Sequence, residues 1–101
     1  MNGKEVEQVF FKRQAGRIEA LLVLVAFSGA LQRERIYLDS AQEGEAAKRL
    51  GFLLAHRADI DSVDRVRFRV ERRGSLEDDG KLKKLFQEAF WEYFQEDERR
   101  Y

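Results

Sequence analysis

From Ala20 to Phe27 the chain places eight apolar residues in succession, preceded by Gly16 and followed by Ser28-Gly29. A hydrogen-bonded segment of this composition does not suit a wet edge. Bounded by turn residues, it reads as a central strand, Ile18 to Phe27, expected to be buried on both faces. Its leucines and alanines would also permit a helix, but Val23, Val25 and the flanking glycines favour the extended form. The remaining chain has to supply neighbours for that strand. At 101 residues one domain, residues 1–101, is expected, burying about 60% or more of its unfolded surface without staples. With no cysteine, disulfides and thiolate metal sites are excluded. Nineteen basic residues balance nineteen acidic ones, which argues against nucleic-acid binding by bulk charge and leaves local patches open. No stretch approaches the roughly twenty apolar residues that span a bilayer, and Met1 to Arg17 lacks a signal-peptide core. The expectation is a soluble protein of the cytoplasm or an organelle matrix, with no membrane partner.

Val6 to Arg13 contains Val6, Val9, Phe10 and Phe11 in an irregular pattern, read as a first strand joined through Gln14-Ala15-Gly16 to the long one; a short amphipathic helix is the alternative. Arg33 to Asp39 alternates, with Ile36 and Leu38 opposite Arg35, Tyr37 and Asp39, and predicts a third strand. Ser40-Ala41-Gln42-Glu43 has the spacing of a capping box and predicts a helix start at Ser40. Ala46, Ala47, Leu50, Leu53, Leu54 and Ala58 then recur at helical spacing, with Gly51 expected to mark a close approach of that helix to the sheet. Val63 to Glu71 alternates cleanly and predicts a strand with Val66, Phe68 and Val70 on one side and Arg65, Arg67 and Arg69 on the other. Leu82, Leu85, Phe86, Ala89, Phe90, Tyr93 and Phe94 predict a last helix from about Lys81 to Asp97.

The order strand, strand, strand, helix, strand, helix predicts a single α/β domain with a mixed four-stranded sheet. An antiparallel meander is followed by a right-handed crossover to a parallel fourth strand, the minimal core of the ribonuclease H-like architecture. Should both helices share a face, Leu21, Val23, Val25 and Phe27 stay bare for a protein partner or a second copy of the chain, with Trp91 a further candidate at the edge of its helical stripe.

Arg65, Arg67 and Arg69, extended by Arg72 and Arg73, form a candidate RNA-binding row. Side chains on one strand face stand about 7 Å apart, near the spacing of successive phosphates. The alternative is cross-strand pairing of these arginines with Glu5, Glu7 or Glu19. His56 is the only histidine and has no neighbouring acid or cysteine at ligand spacing. Glu7, Glu19 and Asp39 carry no spacing that would gather them round magnesium. No catalytic signature, cofactor motif or metal site is read from the chain, and a non-enzymatic binding or structural module is expected.

Ala46-Ala47-Lys48 followed by Gly51, Leu53, Leu54, Ala55, Arg57 and Ala58 resembles a helix of the large-subunit ribosomal protein family that binds 5S ribosomal RNA. Gly80-Lys81-Leu82-Lys83-x-Leu85 and Ala89 are similar to the start of that family's last helix, and Val66-x-Phe68 sits where its parallel strand would be. The overlap runs from Glu45 to Phe94. It implies the same element order and association with structured RNA. The family's Asp-Arg after the strand phenylalanine is here Arg69-Val70, its Tyr-His before the helix glycine is Asp78-Asp79, and its basic amino-terminal tail has no counterpart.

Overall fold

The structure, a computed structural model, describes residues 3–71 and 76–94; of residues 76–78 it describes the backbone only. Five strands and two helices follow in the order β1 (Lys4–Gln14), β2 (Arg17–Ala26), β3 (Leu31–Leu38), α1 (Glu43–Ala55), β4 (Ile60–Ser62), β5 (Arg67–Val70) and α2 (Leu76–Phe94). The sheet runs β3-β2-β1-β4, with β5 also pairing β1. β1 and β2 are antiparallel, as are β2 and β3, while β4 and β5 lie parallel to β1.

Local chemistry accounts for the turns. Ala15 and Gly16 join β1 to β2 with φ of 53° and 78°, the double left-handed geometry that matches the right-handed twist of a two-residue hairpin. Gly29, at φ 92°, closes the next turn, and its amide donates to the Ala26 carbonyl at 2.8 Å. The irregular spacing in β1 has a structural cause: the pairing with β2 shifts between Val6 and Gln8. The extra residue restores parity, so Val6, Val9 and Phe11 all reach the core. The helix alternative for this segment rested on the same three-residue interval.

Both helices cover one face of the sheet. Val6, Val9, Phe11, Ile18, Leu22, Leu24, Leu38 and Phe68 pack with Leu50, Leu54, Phe86 and Phe90 in one buried cluster. Phe68 bridges the layers, its ring centroid 4.8 Å from Phe11 and 5.6 Å from Phe86. Burying a leucine or phenylalanine fully contributes about 1.5–3 kcal/mol, so this cluster dominates the folding free energy.

Several expectations are corrected. β2 is central in the pairing order, but only its Ile18, Ala20, Leu22, Leu24 side is covered; Leu21, Val23 and Val25 on the other side are half-buried. The capping box does not form. α1 starts at Glu43 after Gln42, with no side-chain cap, and the Ser40 hydroxyl instead accepts from the Gln42 amide at 3.1 Å, a local turn that competes with capping. α1 ends at Ala55, short of Ala58. Gly51 meets α2 rather than the sheet: a Cβ there would lie 2.6 Å from the Phe86 carbonyl oxygen and 2.9 Å from the Phe90 nitrogen. The expected strand over Val63 to Glu71 is two short ones, β4 and β5, with Asp64 and Arg65 in the turn between them. α2 begins at Leu76, five residues earlier than expected, and its expected end at Asp97 lies outside the described residues.

Candidate docking surface

The face of the sheet turned away from the helices is built by alternation. Registration across the strands places Arg69, Phe10, Leu21 and Arg35 in one row and Arg67, Gln8, Val23 and Arg33 in the next. Glu5, Val25 and Leu31 form a third row, and Lys12, Glu19 and Tyr37 a fourth. Partners across a ladder point to the same side, so the face has an apolar strip of Leu21, Val23 and Val25 along β2, joined on β1 by Phe10 beside the polar Glu5, Gln8 and Lys12, and two arginines on each flank. Among the described residues no other element lies over it. Leu31 is 59% exposed, Tyr37 69% and Phe27 96%. A shallow depression sits on the middle rows, lined by Gln8, Phe10, Leu21, Val23, Arg33 and Arg35.

The residues singled out in the sequence separate. Arg67 and Arg69 stand on this face, whereas Arg65 lies in the turn before β5 and leaves the row. Arg72 and Arg73 fall outside the described residues. Arg65, Arg67 and Arg69 make no ion pair with an acid among the described residues. Glu19 bonds to Arg35 instead, at 2.5 Å. Leu21, Val23 and Val25 gather on the bare side, and Phe27 lies past the end of β2 in the turn, exposed. Trp91 does not join them. It belongs to the helical layer, where it packs edge-on against Phe90 and Phe94 and donates its indole N–H to Asp64 Oδ1 at 2.8 Å. Arg33 and Arg35 of β3 were missed as a second flank. Alternation in β3 put Arg35 opposite Ile36, but only the register of β3 on β2 sets both arginines beside Val23 and Leu21.

On the bare side the registration places Lys12, Arg17, Arg33, Arg35, Arg67 and Arg69 together with Glu5 and Glu19, with Glu7 in the bulge next to Gln8 and Arg17 paired with Asp39. Among the described residues Glu19 is the one buried charged side chain; Arg35 engages its Oε1, while Oε2 has no hydrogen-bond partner. Hydrogen bonding with Tyr37 and the charge of Glu19 push the Arg35 pKa above its ordinary value. A second polar cluster closes the edge of β3. Arg57 donates in a fork to Glu34 Oε1 and Oε2 at 2.6 and 2.9 Å and to Asp59 Oδ1 and Oδ2 at 3.0 and 2.8 Å. Lys4 reaches Gln32 Oε1 at 2.7 Å. The Arg57 hydrogen bonds hold both carboxyls below their usual range. This arginine ties the end of α1 to the sheet edge.

His56 is exposed at the end of α1, its Nδ1 2.8 Å from the Phe52 carbonyl oxygen. Among the described residues no three histidine, cysteine or acidic side chains are grouped to hold a metal ion, and no helix is long and apolar enough to cross a membrane. Comparison with known proteins returned no matching family, curated protein or solved structure.

Proposed function

We propose that the chain is a non-enzymatic binding module that docks a protein partner on the bare face of its sheet. One observation carries the reading: Phe10, Leu21, Val23 and Val25 form a contiguous apolar strip on the central strands, and no described element covers it. Contiguous apolar surface left partly open to solvent marks interaction sites. The border is polar and carries Arg33, Arg35, Arg67 and Arg69 on its two flanks, matching the interface pattern of an apolar core within a polar border.

A second reading, association with structured RNA in a ribosomal type of role, is favoured by Arg67 and Arg69, which face outward with no acidic partner among the described residues. The strand order β3-β2-β1-β4 with its parallel crossover supports a ribonuclease H-like classification, and the helix resemblance points the same way. Fold alone assigns no function, and phosphate contacts do not explain the aliphatic strip.

A photo-crosslinking amino acid at position 23, compared with one at exposed position 88 on α2, tests the proposal in cells that make the protein. A discrete protein adduct from position 23 only, abolished by Val25→Glu, is expected. Adducts common to both positions overturn the reading, and a ribonuclease-sensitive adduct at position 23 replaces it with the RNA reading.

A further inference from the structure

Resting on that reading, we infer that the partner segment is an acidic amphipathic helix lying along β1 and β2 between the two arginine flanks. The dimensions set the occupant. From β3 to β5 there are three inter-strand steps, β3 to β2 to β1 to β5, which at about 4.8 Å each separate the arginine lines by roughly 14 Å. An α-helix with its side chains is about 10–12 Å across. One helix fills the apolar floor and brings carboxylates on its two shoulders to Arg33 and Arg35 on one side and Arg67 and Arg69 on the other. Along the strand, Leu21 to Val25 spans roughly 13 Å, about nine helical residues. Apolar residues at intervals of three and four would meet Phe10, Leu21, Val23 and Val25.

The other occupants fit less well. A second copy of this chain brings the same arginine flanks to the interface, and pairing along the free edge of β3 sets Arg33 beside Arg35 of the copy when the two-fold passes through Glu34, a like-charge contact that disfavours association. Single-stranded RNA on a sheet stacks its bases on aromatic rings, but the floor here is Leu21, Val23 and Val25, with Phe10 the one central aromatic and Tyr37 at the margin. An apolar floor flanked by two cationic lines is complementary to a helix that is greasy below and acidic on both shoulders, and such complementarity also selects against basic helices.

The test uses the full chain and three labelled probes: an 18-residue helical peptide with a leucine face and glutamates on both shoulders, the same peptide with lysines in place of the glutamates, and oligo-uridine. Fluorescence anisotropy is expected to show the acidic peptide binding at least tenfold tighter than the lysine peptide, with affinity falling as salt rises. The double variant Arg33→Glu/Arg67→Glu, altered at exposed positions, is expected to lose the acidic peptide by at least tenfold and to gain the lysine peptide, with circular dichroism confirming the fold. Equal binding of both peptides, or none, overturns the acidic-helix inference while leaving the crosslinking result to judge the protein-docking reading. Tighter binding of oligo-uridine, lost in the same double variant, overturns both.

Discussion

The two faces of the sheet are made from the same strands and differ in what they meet. On β2, Ile18, Ala20, Leu22 and Leu24 are 0–1% exposed beneath the helices, while their neighbours Leu21, Val23 and Val25 remain half-buried with no described element above them. Hydrophobicity along β2 does not choose between the faces, because both sets are apolar. The choice is made by the helices. The crossover carries α1 to one face, and α2 follows it because Gly51 lets the backbone of α2 approach at a distance no Cβ could tolerate. Contact between the helices, rather than greasiness of the sheet, leaves the second face bare. The flanks confirm the division: Phe68 and Val70 of β5 turn inward, and Arg67 and Arg69 turn out.

The largest effect is expected where the covered face is deepest. Phe86 is fully buried against Phe68 and the sheet, and Phe86→Ala removes its ring and leaves a cavity between the layers. Urea unfolding of the variant is expected to show a loss of about 3–5 kcal/mol. A loss below about 1 kcal/mol would mean that the helical layer is not docked as described.

Much of this division was readable beforehand, and the reasons for what was not are local. The alternation of Arg67-Phe68-Arg69-Val70 gave the correct sidedness of β5 because period-two patterning is a direct consequence of the pleat. The same pattern ran on through Arg65, which the turn at Asp64-Arg65 takes out of the strand; short-range alternation does not report where pairing stops. Ser40 and Glu43 had the right spacing for a capping box, but the serine hydroxyl found a nearer donor in the Gln42 amide. Gly51 was correctly read as a close approach and assigned to the wrong neighbour, since a missing side chain records that something comes near and not which element it is. The second arginine flank needed the register between β2 and β3, a long-range property that no local spacing encodes.

A smaller effect is expected at the sheet edge, where the Arg57 fork holds α1 to β3. Arg57→Ala removes the forked donors and leaves Glu34 with Gln32 and Asp59 with Lys4, and charge-assisted hydrogen bonds of this type are worth about 1.5–3 kcal/mol. A loss of about 2 kcal/mol at pH 7 is expected by urea unfolding. Both carboxyls have folded-state pKa values lowered by Arg57, so their contribution is complete above the unfolded values, near pH 4, and disappears as the pH falls through the folded ones. The gap between wild type and variant should therefore be constant from pH 8 to 6 and narrow below about pH 4. A gap that widens on acidification would contradict the assigned pairing.

The smallest effect provides the sharpest comparison, because one substitution can be made on both faces of β1 and β2. Valine and threonine have nearly the same volume and both suit a strand, so Val→Thr changes little except the polarity of one group. At Val9, which is 0% exposed, the new hydroxyl would be placed in the core without a provided partner, at a cost of about 1–3 kcal/mol. At Val23, on the bare face and half-buried, the hydroxyl keeps access to water and the change is expected within about 0.5 kcal/mol. Urea unfolding of the two variants reads the difference directly. If Val23→Thr costs as much as Val9→Thr, then Val23 is dry in the isolated chain, something already covers the strip, and the surface argued to await a partner is instead part of the core.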